Sequence, residues 1–299
     1  VRIVVTGGTG FIGRHLVRHV LNHGHTCELL VRRDPATLPA IEGVGYRRFT
    51  DIEALAPADA VVNLAGEWVV GRWTEEKKAR IMGSRIEVTR AVVDWIQVQE
   101  VRPKVLVSAS AVGIYGDRPS ELLTEASPPD PRGRFRSVVC EAWEGEALRA
   151  ESLGVRTVTL RIGNVLDSRE GFLGMLIPWL RRAPFLVPFA PRAYNPWIAL
   201  PDAVRLIDFA MKNERVTGPL NVVGPNPVRL RRLVESLGRV MGKPAFGTLP
   251  EPLVRLAFGE FAQSLLESQD VRPAKALSLG FEFEHPDLGP FLRASMAKP

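Results

Sequence analysis

The stretch VRIVVTGGTGFIG, Val1 to Gly13, decides the fold. Arg2 to Thr6 is a short β-branched, apolar run closed by glycines, the pattern of a buried strand. Gly7, Gly10 and Gly13 then recur every third residue into an amphipathic helix. Ile12, Leu16, Val17, Val20 and Leu21 line one side of that helix, and Arg14, His15, Arg18 and His19 line the other. Gly24 ends it, and TCELLV, Thr26 to Val31, supplies the next strand. Such a unit suits a dinucleotide. Glycine lets the backbone approach a pyrophosphate, and the helix N-terminus offers unpaired N–H groups and a positive dipole end. Thr6, Gly7, Gly10, Phe11, Ile12 and Gly13 are therefore predicted cofactor contacts.

The second strand runs into Arg32 and Arg33, where an NAD site usually places an acid for the ribose 2′-hydroxyl. Arginine suits a 2′-phosphate instead, and Asp34 comes one position too late. The prediction is NADP(H) over NAD(H), with Arg32 the main discriminator and Arg33 beside it. His15, His19 and His23 recur four apart, a spacing that could hold a metal, but no acid or cysteine lies nearby in sequence. They read as surface histidines, and no metal is expected.

The remaining composition narrows the classes. A chain of 299 residues with 45% hydrophobic content can bury a large core. The most apolar run, FLGMLIPWL at 172–180, is short and contains a proline, so no membrane span is expected. The strand pattern starts at once and leaves no room for a signal peptide. Cys27 and Cys140 offer no disulfide framework, which suggests a reducing, cytoplasmic setting. The net charge of +6 comes mostly from scattered arginine, 32 Arg against 7 Lys, with no aromatic-interleaved basic stripe. A solvated basic surface explains it better than nucleic-acid binding.

AVVNLAG, Ala60 to Gly66, is another buried strand, ending in small residues against which a cofactor can lie. KVLVSASAVGIYGD, Lys104 to Asp117, brings Ser108 and Ser110 to its C-terminal edge, where ligands sit in an open parallel sheet. Asn63, Ala65, Gly66 and Ser108 join the predicted cofactor contacts.

With TGGTGFIG, NLAG, SASAVGIYG, LTEASPP and LRIGNVL in that order, the chain resembles the extended short-chain dehydrogenase/reductases, Rossmann-fold enzymes that include nucleotide-sugar epimerases. It is more closely similar to an atypical, epimerase-like branch, through GRWTEEKKARIMGSRIEVTR (Gly71 to Arg90), VCEAWE and GEFAQSLLESQDVRPAKALSLGFEFEHP. That resemblance implies NADP(H) binding and a C-terminal segment of unassigned role, without naming a substrate.

In catalytic members of the larger family a tyrosine transfers the proton, and a lysine four residues later holds the cofactor ribose and lowers the tyrosine pKa. Carried onto FRSVVCEAWEGEAL, those places read Arg136 and Cys140. Arginine cannot act as an acid near neutral pH. Ser110 matches the hydroxyl that positions the substrate oxygen. The candidate catalytic residues are thus Ser110 and Tyr115, with Tyr115 or a bound water replacing the proton donor. The competing account has Tyr115 as a packing aromatic. Cys140 reads as a core thiol, Glu144 as a structural glutamate and Glu141 as solvent-facing. Thr74 is expected to cap a helix carrying Glu75 and Glu76 in its first turn. Arg85, where the larger family often has asparagine, is placed near the cofactor, and Arg72 and Trp73 are candidate substrate contacts.

The expectation is an α/β protein. A Rossmann-type doubly wound parallel sheet takes residues 1–165, and a smaller C-terminal α/β substrate lobe takes 166–299, with interleaving of the two left open. The helical pattern from Pro252 to Ser268, with Leu253, Leu256, Ala257, Phe261 and Leu265 in phase, would serve the core or a subunit contact of a homodimer. The leading function is an NADP(H)-dependent oxidoreductase or epimerase-like protein acting on an unidentified small molecule. The alternative is a non-catalytic NADPH-binding sensor or regulator.

Overall fold

Alternate residues of the first strand point into two different cores, and the architecture follows. In β1 (Arg2–Thr6), Ile3 and Val5 pack with Leu16, Val17 and Val20 of α1 (Phe11–Asn22). Val4 packs on the other side, with Val92, Val93 and Ile96 of α2 (Glu75–Val98). A strand covered on both faces needs a parallel neighbour on each side, because the crossover helices supply the covering layers. The computed structural model, which describes residues 1–171, 173–174, 177–178, 185–187, 190–243, 245–248 and 250–297, shows that arrangement. The apolar run 172–180 falls largely outside these residues.

The remaining strands of the main sheet are β2 (Thr26–Val31), β3 (Val44–Arg48), β4 (Ala60–Asn63), β5 (Val105–Ala111), β6 (Arg156–Ile162) and β7 (Gly218–Val222). They lie in the order β7-β6-β5-β4-β1-β2-β3, every pair parallel. The chain winds outward from β1 in one direction and from β4 in the other. The crevice at their C-terminal ends is therefore the switch point where open α/β sheets hold ligands. α3 (Phe135–Leu148) joins α2 on one face, and α4 (Leu200–Lys212) joins α1 on the other. The late strand β7 returns the second half of the chain to the main sheet.

A smaller assembly is built from α5 (Leu230–Val240), α6 (Leu288–Ala297) and short strand pairs, 164–166 with 197–199 and 194–195 with 228–229. Its core centres on the fully buried Trp197, stacked on Phe291 and surrounded by Leu233, Leu237 and Leu292. The indole N–H donates to the Asn226 carbonyl at 2.8 Å, so this large ring leaves no polar atom unpaired. A third connection ties the two parts together: Gln269–Val271 pairs with Arg118–Leu123.

α4 starts at Leu200, which puts Pro201 in its first turn, where its missing N–H costs no helical bond. One local expectation is corrected here. The helical pattern at 252–268 is broken into Glu251–Phe258 and Ala262–Leu266, because Gly259 takes a left-handed φ of 56° between them. The break turns the first piece over. Val254 is buried, whereas Leu253 and Leu256 are 52% and 74% exposed; the Ala257 side chain lies outside the described residues. Among the described residues no helix is long and apolar enough to cross a membrane.

Candidate functional site

The glycine turn is held against the end of β4. Gly7 has φ 68°, and a Cβ there would lie 2.5 Å from the Leu64 carbonyl oxygen. A Cβ on Gly13 would overlap the Gly7 carbonyl oxygen, so the third glycine lets α1 pack directly on the turn. Gly10 is the N-cap with no side-chain cap, and the first turn of α1 carries no acid, which leaves its N–H groups open to an anion. Phe11 and Ile12 are half-buried, with the Phe11 ring against Gly171.

Beside this turn lies a recess of about 310 Å³ lined by Thr9, Val31, Arg32, Arg33 and Leu38. Arg32 and Arg33 are exposed and, among the described residues, neither makes a hydrogen bond or ion pair. Asp34 is turned away from the recess, bonded to Arg48 at 2.7 Å and capping the short helix at Ala36. Two uncommitted guanidinium groups next to an open helix N-terminus fit a dinucleotide that bears an extra phosphate.

Three predicted cofactor contacts sit below the crevice rather than in it. Thr6 donates to Asn63 Oδ1, and Asn63 Nδ2 donates to Thr89 Oγ1 at 2.7 Å and Ser108 Oγ at 3.1 Å. Trp143 Nε1 donates to the same threonine at 2.9 Å. Thr6, Asn63 and Ser108 are all buried, so they brace the ends of β1, β4 and β5 for α2 and α3. Ala65 and Gly66 remain at the crevice, half-buried and exposed. Arg85 lies under Gly66, where a Cβ would approach its guanidinium at 3.1 Å. It donates to the Glu67 carbonyl at 3.1 Å and packs over the Trp143 ring. Burial lowers its pKa, with Cys140 and Glu67 opposing.

The catalytic expectations are redirected by a buried network behind β5. Ser110 is 2% exposed, and its hydroxyl donates to Glu144 Oε1 at 2.7 Å. Strand alternation leaves Ala111, not Ser110, half-buried at the strand's end. Arg161 grips Glu144 through Nε and Nη2, both at 3.0 Å, and donates to the Tyr115 hydroxyl at 3.0 Å. Tyr115 in turn donates to Asn221 Oδ1 at 2.7 Å. Tyr115 is 0% exposed, so its hydroxyl cannot face a nicotinamide; it completes a structural chain across β5, β6 and β7. Burial pushes the Tyr115 pKa above its ordinary value, with Arg161 and Asn221 opposing. For Arg161, burial pulls the pKa down, but the hydrogen bonds and charge of Glu144 outweigh it and the net shift is upward.

The places read as tyrosine and lysine by resemblance are occupied differently. Arg136 lies over Gly113, just past β5, and donates to Glu267 Oε2 at 2.5 Å; Arg134 reaches Glu267 Oε1 at 3.2 Å. Cys140 is buried, and burial pushes its thiol to about 11, with Arg136 opposing. Cys27 is likewise pushed to about 11 by burial. Both thiols should therefore stay unmodified by a disulfide reagent at pH 7.5 until the chain unfolds; rapid stoichiometric labelling of native protein would contradict this. A raised folded-state pKa also gives the sign of a pH effect. The stabilisation is complete below the ordinary thiol pKa and is lost as pH rises toward about 11.

Trp73 is packing. Its ring meets Phe135 and Phe261 at 5.2 and 5.7 Å, and its Nε1 donates to the Val69 carbonyl at 2.7 Å. Arg72 is exposed and lies along Gly259. Lys78 pairs with Glu260 at 2.5 Å, so 72–78 and 259–267 form one wall beside Arg136. Thr74 caps α2 by accepting from the Lys77 N–H at 3.2 Å. His19 is not on a solvent face but bonds Asp208 at 3.2 Å. Among the described residues no group of His, Cys, Asp and Glu is placed to hold a metal.

The sequence reading missed Glu267, Arg134 and Arg161. Arg161 did leave a signal, a lone cation inside the apolar run TVTLRIG. Glu267 left none.

Residues 3–224 match the NAD dependent epimerase/dehydratase family, and 249–295 match a domain of unknown function, DUF1731. The epimerase family protein YfhF of Bacillus subtilis is 35% identical over 292 residues, covering 96% of this chain and 95% of that one. The chloroplastic SDR39U1 homolog of Arabidopsis thaliana, also an epimerase family protein, is 38% identical, covering 98% and 86%. The crystal structure of human epimerase family protein SDR39U1 with NADPH superposes at a TM-score of 0.91, with 30% identity and full coverage of both chains.

Proposed function

This chain belongs to the NAD dependent epimerase/dehydratase family, and on that premise we propose that it is an NADP(H)-dependent oxidoreductase or epimerase-like protein acting on a small molecule. The observation that carries the cofactor reading is the pair of unpartnered guanidiniums, Arg32 and Arg33, around the recess beside the glycine turn. The NADPH in the human relative supports the same reading.

When bound, such a cofactor supplies or accepts a hydride. Gly7, Gly10 and Gly13 would hold its pyrophosphate, Arg32 and Arg33 its 2′-phosphate, and Ala65 and Gly66 would leave room along the crevice. Arg136 would hold a substrate oxygen or carboxylate by donating to it at the end of β5. A guanidinium is not a general acid, so the proton itself would come from water. A second reading, a sensor that binds NADPH without turnover, is favoured by one observation: Ser110, Tyr115 and Cys140 are all sequestered.

Titrating the protein with NADPH and NADH, followed by tryptophan quenching, tests the first claim. NADPH should bind at least about tenfold tighter, the effect of one charge-assisted contact. Arg32→Ala with Arg33→Ala should remove that preference and leave NADH binding unchanged. Equal affinity of the unaltered protein for both cofactors would reject the assignment. NADPH oxidation with any carbonyl compound would then decide against the sensor.

A further inference from the structure

A cavity of about 830 Å³ lies between α5 and α6, away from the glycine turn, and nothing in the cofactor reading uses it. Arg232, Ser236 and Arg239 line it from α5, at spacings of four and three that put them on one helix face. Gly289, Arg293 and Met296 line it from α6 at the same spacings. Gly289 leaves the gap open, since a Cβ there would approach only the Arg293 guanidinium, at 3.7 Å.

Three features distinguish this cavity from a solvated groove. Arg232 and Arg293 make no hydrogen bond or ion pair among the described residues, and Arg239 uses only Nε, on the Glu235 carbonyl at 3.3 Å. Three cations thus face one carboxylate, Asp287, which already accepts from Asn226 Nδ2 at 3.0 Å. Ser236 is 8% exposed, lines the cavity, and its hydroxyl has no partner among the described residues. That oxygen is open to the cavity rather than enclosed in the core, so a ligand oxygen entering the space can accept from it. Finally, Val240, Leu288 and Met296 give the cavity an apolar floor. The volume lies within the range of small-molecule pockets.

We propose that this cavity is a second ligand site, taking a small amphipathic anion: a carboxylate or phosphate head held by Arg232, Arg239, Arg293 and Ser236, on an apolar body lying over Leu288 and Met296. The inference stands apart from the cofactor reading, and its test does not need turnover.

The test is calorimetric titration of the full chain with octyl phosphate, octanoate and inorganic phosphate. At least one amphiphile should bind one per chain and at least tenfold tighter than inorganic phosphate; the tighter amphiphile identifies the head group. Arg232→Gln and Arg293→Gln, both at exposed positions, should each weaken it about tenfold, while NADPH binding stays unchanged. Gly289→Leu should fill the space and abolish amphiphile binding with an unchanged melting temperature. Three results overturn the proposal: neither amphiphile binding tighter than phosphate, arginine variants that bind as before, or NADPH competing for the same site. If Gly289→Leu does not fold, the arginine variants still decide.

Discussion

Replacing Glu144 with alanine should cost the folded chain about 3–5 kcal/mol, the range for breaking a buried ion pair from one side. Its carboxylate takes two hydrogen bonds from Arg161 and one from Ser110, and the side chains of the pair are only 8% and 9% exposed. Without Glu144 the guanidinium stays charged in a space that water reaches poorly, with only Tyr115 and a carbonyl near it. Arg161→Met should cost a similar amount by stranding the carboxylate. The double variant Glu144→Leu/Arg161→Met should cost much less than the two together, because apolar replacements remove both desolvation penalties at once. Urea unfolding of the three proteins reads these differences. A loss below about 1 kcal/mol for Glu144→Ala would mean that the pair is not buried as described.

The second large effect concerns the turn. Gly7→Ala forces a side chain into a left-handed backbone, which costs about 1–2 kcal/mol before any contact is counted. It also places a Cβ against the Leu64 carbonyl oxygen. Gly13→Ala meets the Gly7 carbonyl oxygen more closely still, whereas at Gly10 the nearest atom is 3.1 Å away. Affinity for NADPH should therefore fall in graded fashion: roughly hundredfold or more for Gly13→Ala and Gly7→Ala, and less for Gly10→Ala. Cofactor titration with a melting curve for each variant checks the ranking. Undiminished binding by Gly7→Ala would remove the turn from the cofactor site.

How much of this was legible in the sequence depended on the range of the interactions. β1, α1 and β2 announce themselves because periodicity and glycine act over a few residues, and the Thr74 cap is equally local. The orientation of Ser110 was not legible: its partner Glu144 is 34 positions away and reaches it only through α3 packing on β5. Tyr115 looked available because its partner Asn221 is 106 positions away, on a strand that joins the sheet late. The 252–268 pattern failed for a local reason that periodicity ignores, since one glycine in a left-handed conformation rotates everything before it. Arg161 is the instructive case. A cation inside an apolar strand signals a buried partner, although the sequence does not say which carboxylate it is.

The pairing of Arg136 with Glu267 also has a consequence for biosynthesis. The two residues are 131 positions apart. At about 5–20 residues per second, a ribosome needs roughly ten seconds to travel from one codon to the other. During that interval the nascent chain carries the arginine beside β5 without its carboxylate, and Arg118–Leu123 lacks the strand that later pairs with it. The emerging polypeptide thus stays incomplete beside the end of β5 until Glu267 and Gln269–Val271 have been made and have left the ribosome.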